Sequence, residues 1–163
     1  MTVCCNAIPG ERLIKGRKHL SESVMLSVAV SKTGKTEAHF IDKGTKVDGH
    51  YYRDNLLQNC LLPDIREKSS GDFVFQQDGA PSHRAKLIIE FLQQNVPNFI
   101  ELSVWPPNSP DLNPIDYAVW GALQQVVYRV PIVGLYDLKD RVCNFWASLD
   151  QQLISKAVVQ WRP

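Results

Sequence analysis

The sequence predicts a mixed α/β domain, and three observations predict it. Short β-prone apolar runs alternate with helical stripes, Gly and Pro punctuate the boundaries between them, and the C-terminal end is helical in pattern. The 163 residues suit one domain with a real core, so no second compact domain is expected. Hydrophobic residues at 44% and charged ones at 21% exclude a disordered or collagen-like chain.

The elements follow in order. Residues 23–31 read Ser-Val-Met-Leu-Ser-Val-Ala-Val-Ser, a β-prone run that stops at Lys32-Thr33-Gly34-Lys35. A hairpin to a second strand, residues 36–41, follows naturally. Residues 51–62 space Leu56, Leu57, Leu61 and Leu62 as a helix with one buried face does, and Pro63 closes that helix or lies just inside its last turn. Phe73-Val74-Phe75 is a short strand, so Asp78 falls where it ends, before Gly79 and Pro81. Ser82 is placed to cap a helix over residues 83–95, with Leu87, Ile88, Phe91 and Leu92 on one stripe and Pro97 beyond its end. Residues 99–105 alternate Ile100, Leu102 and Val104 against Glu101 and Ser103, as a strand does. A proline-rich loop, residues 106–114, leads into a helix that Asn113 caps and Pro114 starts, with Asp116 in its first turn. Helical patterns continue through residues 137–149 and on towards Trp161.

Eighteen Lys and Arg against seventeen Asp and Glu leave a net charge of +1, so any contact with nucleic acid must come from local patches. The densest basic run is Arg12, Lys15, Arg17 and Lys18, which suits phosphates or a nuclear signal, or else is a solvated loop. Cys4, Cys5, Cys60 and Cys143 lack C-x-x-C pairing, which favours reduced, buried thiols in an intracellular protein over bridges or a zinc site. No secretory leader pattern and no membrane-length apolar stretch is present, and no membrane partner is expected.

Two constellations carry chemistry. The first is Gln76-Gln77-Asp78-Gly79-Ala80-Pro81-Ser82-His83, a carboxylate at the carboxyl end of a strand, where open α/β sheets place their sites. An Asx turn at Asp-Gly explains Asp78 equally well on local grounds. The second runs from Trp105 to Trp120 and holds four prolines ahead of Asp116. Compensation of the helix dipole, worth about 0.3 to 1 kcal/mol, accounts for an acid in the first turn. It leaves the rigid loop unexplained, and a preset loop is what positioning a carboxylate against a metal requires.

At these motifs the sequence resembles the mariner branch of cut-and-paste transposases. The likeness comprises the Gln-Asp-x-Ala-Pro-x-His block, the Trp-Pro-x-x-Ser-Pro-Asp-Leu-x-Pro-x-Asp block and the 37 residues between Asp78 and Asp116. It extends upstream through Gly34-Lys35-Thr36, Phe40-Ile41-Asp42 and Lys46-Val47, and so covers most of residues 20–128. The resemblance implies an RNase H-like mixed sheet flanked by helices, with a motif-bearing core over about 20–128, and beyond Tyr128 the helical part over 129–163 rests on pattern alone. It implies metal-dependent DNA strand cleavage and strand transfer, with DNA as partner, a homodimer, Mg²⁺ or Mn²⁺ as cofactor, and the nucleus as location. Asp78 would be the second acid of a catalytic triad and Asp116 the third, both of them metal ligands, while Asp111 belongs to the proline-rich motif alone. His83 either helps to place a phosphate or the metal, or serves only at the helix start.

The family's first acid lies on its first strand, and this chain is expected to begin after it, as a partial catalytic domain lacking that central strand unless Thr2–Ile8 fills the gap. With the gap unfilled, an unpaired edge makes the chain poorly stable or prone to aggregate. Asp42 is no substitute: two strands would separate it from Asp78, about 14 Å at about 4.8 Å per strand. The family's amino-terminal helix-turn-helix is not found in the sequence. Two functions of different class stand open. One is a catalytic core inactive in this form, and the other a non-enzymatic DNA-binding or dimerising remnant. A different RNase H-like nuclease or an unrelated α/β enzyme does not account for both motifs at this spacing.

Overall fold

In a computed structural model, residues 2–8, 23–104, 106 and 112–160 are described, the first of these as backbone only. The basic run Arg12 to Lys18 and Asp111 lie outside the described residues.

Among the described residues, six strands form one sheet. They are β1 (Thr2–Ile8), β2 (Met25–Ser31), β3 (Gly34–Lys35), β4 (His39–Ile41), β5 (Val74–Gln77) and β6 (Asn98–Phe99). The order is β3-β2-β1-β5-β6, with β4 also paired to β2. β1 runs antiparallel to β2, from Val3 opposite Ser31 to Ile8 opposite Leu26, and parallel to β5, from Thr2 opposite Val74 to Cys5 opposite Gln77. The expectation of a missing central strand is therefore corrected. Thr2–Ile8 occupies that place, hydrogen-bonded on both sides, and the open-edge argument for aggregation falls with it.

The sheet has a helical layer on each face because β2 alternates. Leu26, Val28 and Val30 pack on one face with Ile115, Leu123, Phe145 and Ile154. Ala29, on the other face, joins Leu57, Leu61, Phe73, Phe75, Ile88 and Leu92. Successive strand residues point to opposite faces, so one strand feeds two cores.

The second hairpin strand is interrupted. β3 and β4 both pair with β2, and Thr36 bridges the break: its N–H donates to Ala29 O at 2.9 Å while its hydroxyl accepts the Ala29 N–H at 2.9 Å. The first helical region is longer than predicted. α1 (Gly49–Tyr51) runs through a π-helical segment, Tyr52–Leu61, into α2 (Leu62–Ser69), and Pro63 does not end it. A proline inside an α-helix loses the bond to residue i−4 and clashes with that carbonyl. Here the Leu62 N–H already reaches Leu57 O, five residues back, so the wider turn accommodates the ring.

α3 (Lys86–Asn95) buries Ile88 and Leu92 as its stripe predicts, but it starts after His83 and is not capped by Ser82. The chain turns first: the N–H groups of His83 and Arg84 both donate to Ala80 O, and Ala85 is extended. The strand predicted over residues 99–105 stops at Phe99. Ile100 N–H makes one more bond, to Phe75 O, and Val104 then folds back to Glu101 O with its side chain 71% exposed. Among the described residues β6 pairs with β5 alone, and β5 ends at Gln77. Cys143 is exposed and Cys60 half-buried, which corrects the expectation of buried thiols for these two.

A π-helical turn, Ile115–Val119, leads into α4 (Trp120–Val127), followed by α5 (Gly134–Ser148) and α6 (Gln151–Gln160). Arg141 on α5 holds the α4–α5 connection: Nη1 donates to Val127 O at 3.0 Å and Val130 O at 2.7 Å, and Nη2 to Pro131 O at 3.1 Å. Asp137 completes the clamp, accepting the Val133 N–H and the Arg141 Nε–H at 2.8 Å each. The Val133 amide, with the Arg141 guanidinium second, lowers the Asp137 carboxyl below its ordinary value of 3.8. A carboxyl lowered on folding stabilises the native state above its unfolded value, and that contribution is lost as pH falls through the lower, folded one. Asp137→Asn is therefore expected to flatten the acid limb of stability against pH below about 4. Urea unfolding at several pH values checks this, and an unchanged acid limb would contradict it.

Candidate metal centre

Asp78 directly follows β5, whose inner residues Phe75, Gln76 and Gln77 are buried. The carboxylate is 29% exposed and is held from two sides. The Ala80 N–H donates to Oδ1 at 3.0 Å, which is the Asx turn expected at Asp-Gly, and His83 Nδ1 lies 2.6 Å from the same oxygen. An ionised carboxylate only accepts, so the imidazole carries its proton on Nδ1. Nδ1 is also 3.3 Å from the backbone oxygen of Asp78.

The His83 side chain is only 1% exposed. Tyr52, from the π-helical segment, lays its ring over the imidazole with centroids 4.1 Å apart. The Tyr52 hydroxyl donates to Gln77 Oε1 at 3.0 Å, and Gln77 Nε2 donates to His83 O at 3.3 Å. Three buried side chains thus fix one another beside the carboxylate.

Asp116 stands in the first turn of Ile115–Val119, as predicted, and is half-buried. Asn113 Oδ1 accepts the Ile115 N–H at 3.1 Å, so the predicted cap forms. The two acid-bearing segments are joined: Gln76 Nε2, two residues before Asp78, donates to Leu112 O, four residues before Asp116, at 3.2 Å. The turn carrying Asp116 also packs against β1. Asp42, by contrast, follows β4, and β2 and β1 lie between that strand and β5. Topology thus agrees with its exclusion.

Sequence reasoning missed what β1 brings to this corner. Cys5 pairs with Gln77, so Asn6 is the next residue of β1 as Asp78 is the next after β5. Thr2–Ile8 contains no Asp or Glu. No group of three or more His, Cys, Asp or Glu suited to a metal occurs among the described residues. Two carboxylates on separate elements are nevertheless a donor set that fits a hard cation. Mg²⁺ is commonly held by one or two carboxylates and keeps several waters.

The family model for DDE superfamily endonuclease matches residues 7–132. The chain belongs to the DDE superfamily endonuclease family. It is 31% identical over 137 residues to the Tcb2 transposase of Caenorhabditis briggsae, covering 84% of this chain and 48% of the relative. To the Tc3 transposase of Caenorhabditis elegans it is 33% identical over 138 residues, covering 82% of this chain and 39% of the relative. The chain thus spans less than half the length of these curated relatives. Its fold matches the Mos1 mariner paired end complex with Mn at a TM-score of 0.79, with 18% identity over 98% of this chain and 52% of that one. The resemblance to mariner-type transposases and the RNase H-like fold class are both borne out. Within this DDE endonuclease fold, Asp78 sits at the end of β5 and Asp116 in the helical turn that packs on β1.

Proposed function

We propose that this chain is the catalytic core of a DNA transposase, built for divalent-metal-dependent strand cleavage and strand transfer. The observation that carries the reading is Asp78, half-exposed at the end of β5, its Oδ1 fixed by Ala80 and His83, on a segment bonded to the one that bears Asp116. Asp78 and Asp116 would hold Mg²⁺ or Mn²⁺, and Mos1 paired end complexes are described with each of these metals. Such an ion activates an attacking oxygen and stabilises the leaving oxygen of a phosphodiester. The Ala80 amide and His83 orient Asp78, and Asn113 and Pro114 fix the start of the turn that presents Asp116. DNA, including transposon ends, is the proposed partner, with a second copy of the chain, as the paired-end assembly of Mos1 suggests. A nuclear location follows from DNA as substrate.

In the form given by this sequence the core is proposed to be inactive in strand cleavage, because the β1 residue that follows the Cys5–Gln77 pair is Asn6 and Thr2–Ile8 contains no Asp or Glu. That same observation favours the second reading, a DNA-binding or dimerising remnant. A labelled DNA duplex incubated with Mn²⁺ and the folded chain tests both. No cleavage is expected, with Mn²⁺ still bound. Cleavage lost in Asp78→Ala and in Asp116→Ala would show a complete centre and overturn the inactivity. A shift of duplex mobility without metal binding would favour the remnant.

A further inference from the structure

We infer that His83 is a positioning residue for Asp78, acting through Nδ1, and is not itself a ligand of the metal. The inference rests on the reading of Asp78 as a ligand.

Both ring nitrogens are accounted for. Nδ1 donates to Asp78 Oδ1 at 2.6 Å. Nε2 is buried and has no hydrogen-bond partner among the described residues. A nitrogen serving a solvated cation or a phosphate must be reachable from solvent, and this one lies in a side chain 1% exposed. The histidine is also too well held to swing out. Tyr52 covers its ring, and Gln77 ties the His83 carbonyl to the Tyr52 hydroxyl.

This arrangement has a physical purpose. A carboxylate at a strand end rotates freely about its last bond unless something fixes its plane, and ligating carboxylates are themselves commonly hydrogen-bonded from behind. Here two donors, the Ala80 amide and His83 Nδ1, converge on Oδ1 alone. The clamp therefore favours one carboxylate orientation.

Amide side chains distinguish the two roles, because the Asn side-chain nitrogen stands where Nδ1 stands and the Gln nitrogen where Nε2 stands. Mn²⁺ affinity of the full chain is to be measured calorimetrically for His83→Ala, His83→Asn and His83→Gln, with Asp78→Ala as control and thermal unfolding followed for each. His83→Ala is expected to weaken Mn²⁺ binding by about 10- to 100-fold, His83→Asn to restore most of that loss, and His83→Gln to restore none. Rescue by Gln and not Asn would overturn the inference, as would Mn²⁺ binding that His83→Ala leaves unchanged.

Nitrogen-resolved NMR of the unmodified chain decides the contact even where a variant fails to fold. A proton on Nδ1, hydrogen-bonded to Asp78, is expected, and a bare Nδ1 would overturn the inference. Unaltered Mn²⁺ binding in Asp78→Ala would instead remove the underlying reading of Asp78, recognisable because His83 is then intact.

Discussion

Mn²⁺ binding is expected to disappear when either Asp78 or Asp116 is replaced by alanine, while the fold survives both changes at unequal cost. A divalent ion held by one or two carboxylates and water has no reserve of protein ligands, so loss of one carboxylate removes most of the affinity. Asp116→Ala should cost at least the dipole compensation of a first-turn acid, about 0.3 to 1 kcal/mol. Asp78→Ala should cost more. It deletes the Asx turn to Ala80 and withdraws the main acceptor from a buried His83 N–H, and an orphaned buried donor costs about 1 to 3 kcal/mol. Calorimetric titration with Mn²⁺ and urea unfolding together check the pair. An Asp78→Ala variant as stable as the parent chain would mean that the His83 contact contributes nothing.

Phe75→Ala is expected to lower unfolding stability by about 3 to 5 kcal/mol, the usual cost of emptying a large aromatic site in a core. Phe75 is fully buried and sits at the middle of the sheet's parallel part, opposite Val3 on one side and Phe99 on the other. Its ring packs in the cluster that contains Leu57, Ile88 and Leu92. Domains are stable by only about 5 to 15 kcal/mol, so the loss is a large share of the total. Because β5 also carries Asp78, metal affinity should fall in the same variant. Val133→Ala is the control: the side chain is 82% exposed, and the change should stay within about 0.5 kcal/mol. A shift in the urea midpoint at unchanged slope would show the effect to be on stability alone.

What was legible in the sequence was what local pattern decides. The stripe of Leu87, Ile88, Phe91 and Leu92, the alternation of Leu26, Val28 and Val30, and the Asn113-Pro114 start each report a periodicity or a cap that the chain itself carries. The less legible parts are decided by partners distant in sequence. Thr2–Ile8 is unremarkable alone, and it becomes a central strand only through β2 and β5. His83 looks like the first residue of a helix, yet its bond to Asp78 keeps it in the preceding turn and delays α3 until Lys86. Residues 99–105 alternate like a strand, but pairing needs a neighbour and β6 has none beyond β5. Pro63 was read by the rule for α-helices, and the π-helical turn ahead of it changes that rule's premise. For the site, the two acids were visible as motifs. The His83, Tyr52 and Gln77 clamp was not, because it joins residues from a helix and a strand that no spacing rule relates.

The central position of β1 also bears on how the domain assembles. Its antiparallel partner β2 follows closely in the chain, so these two can zip together early. Its parallel partner β5 is made only after β3, β4 and the whole helical stretch from Gly49 to Ser69. Closing so long a loop must be met before the contacts that reward it form, which slows folding. A nascent chain that has not yet reached Val74 therefore carries a half-sheet with β1 exposed along one side. The wait for β5 is the interval in which chaperones, or a wrong partner strand, have access to the middle of the future sheet.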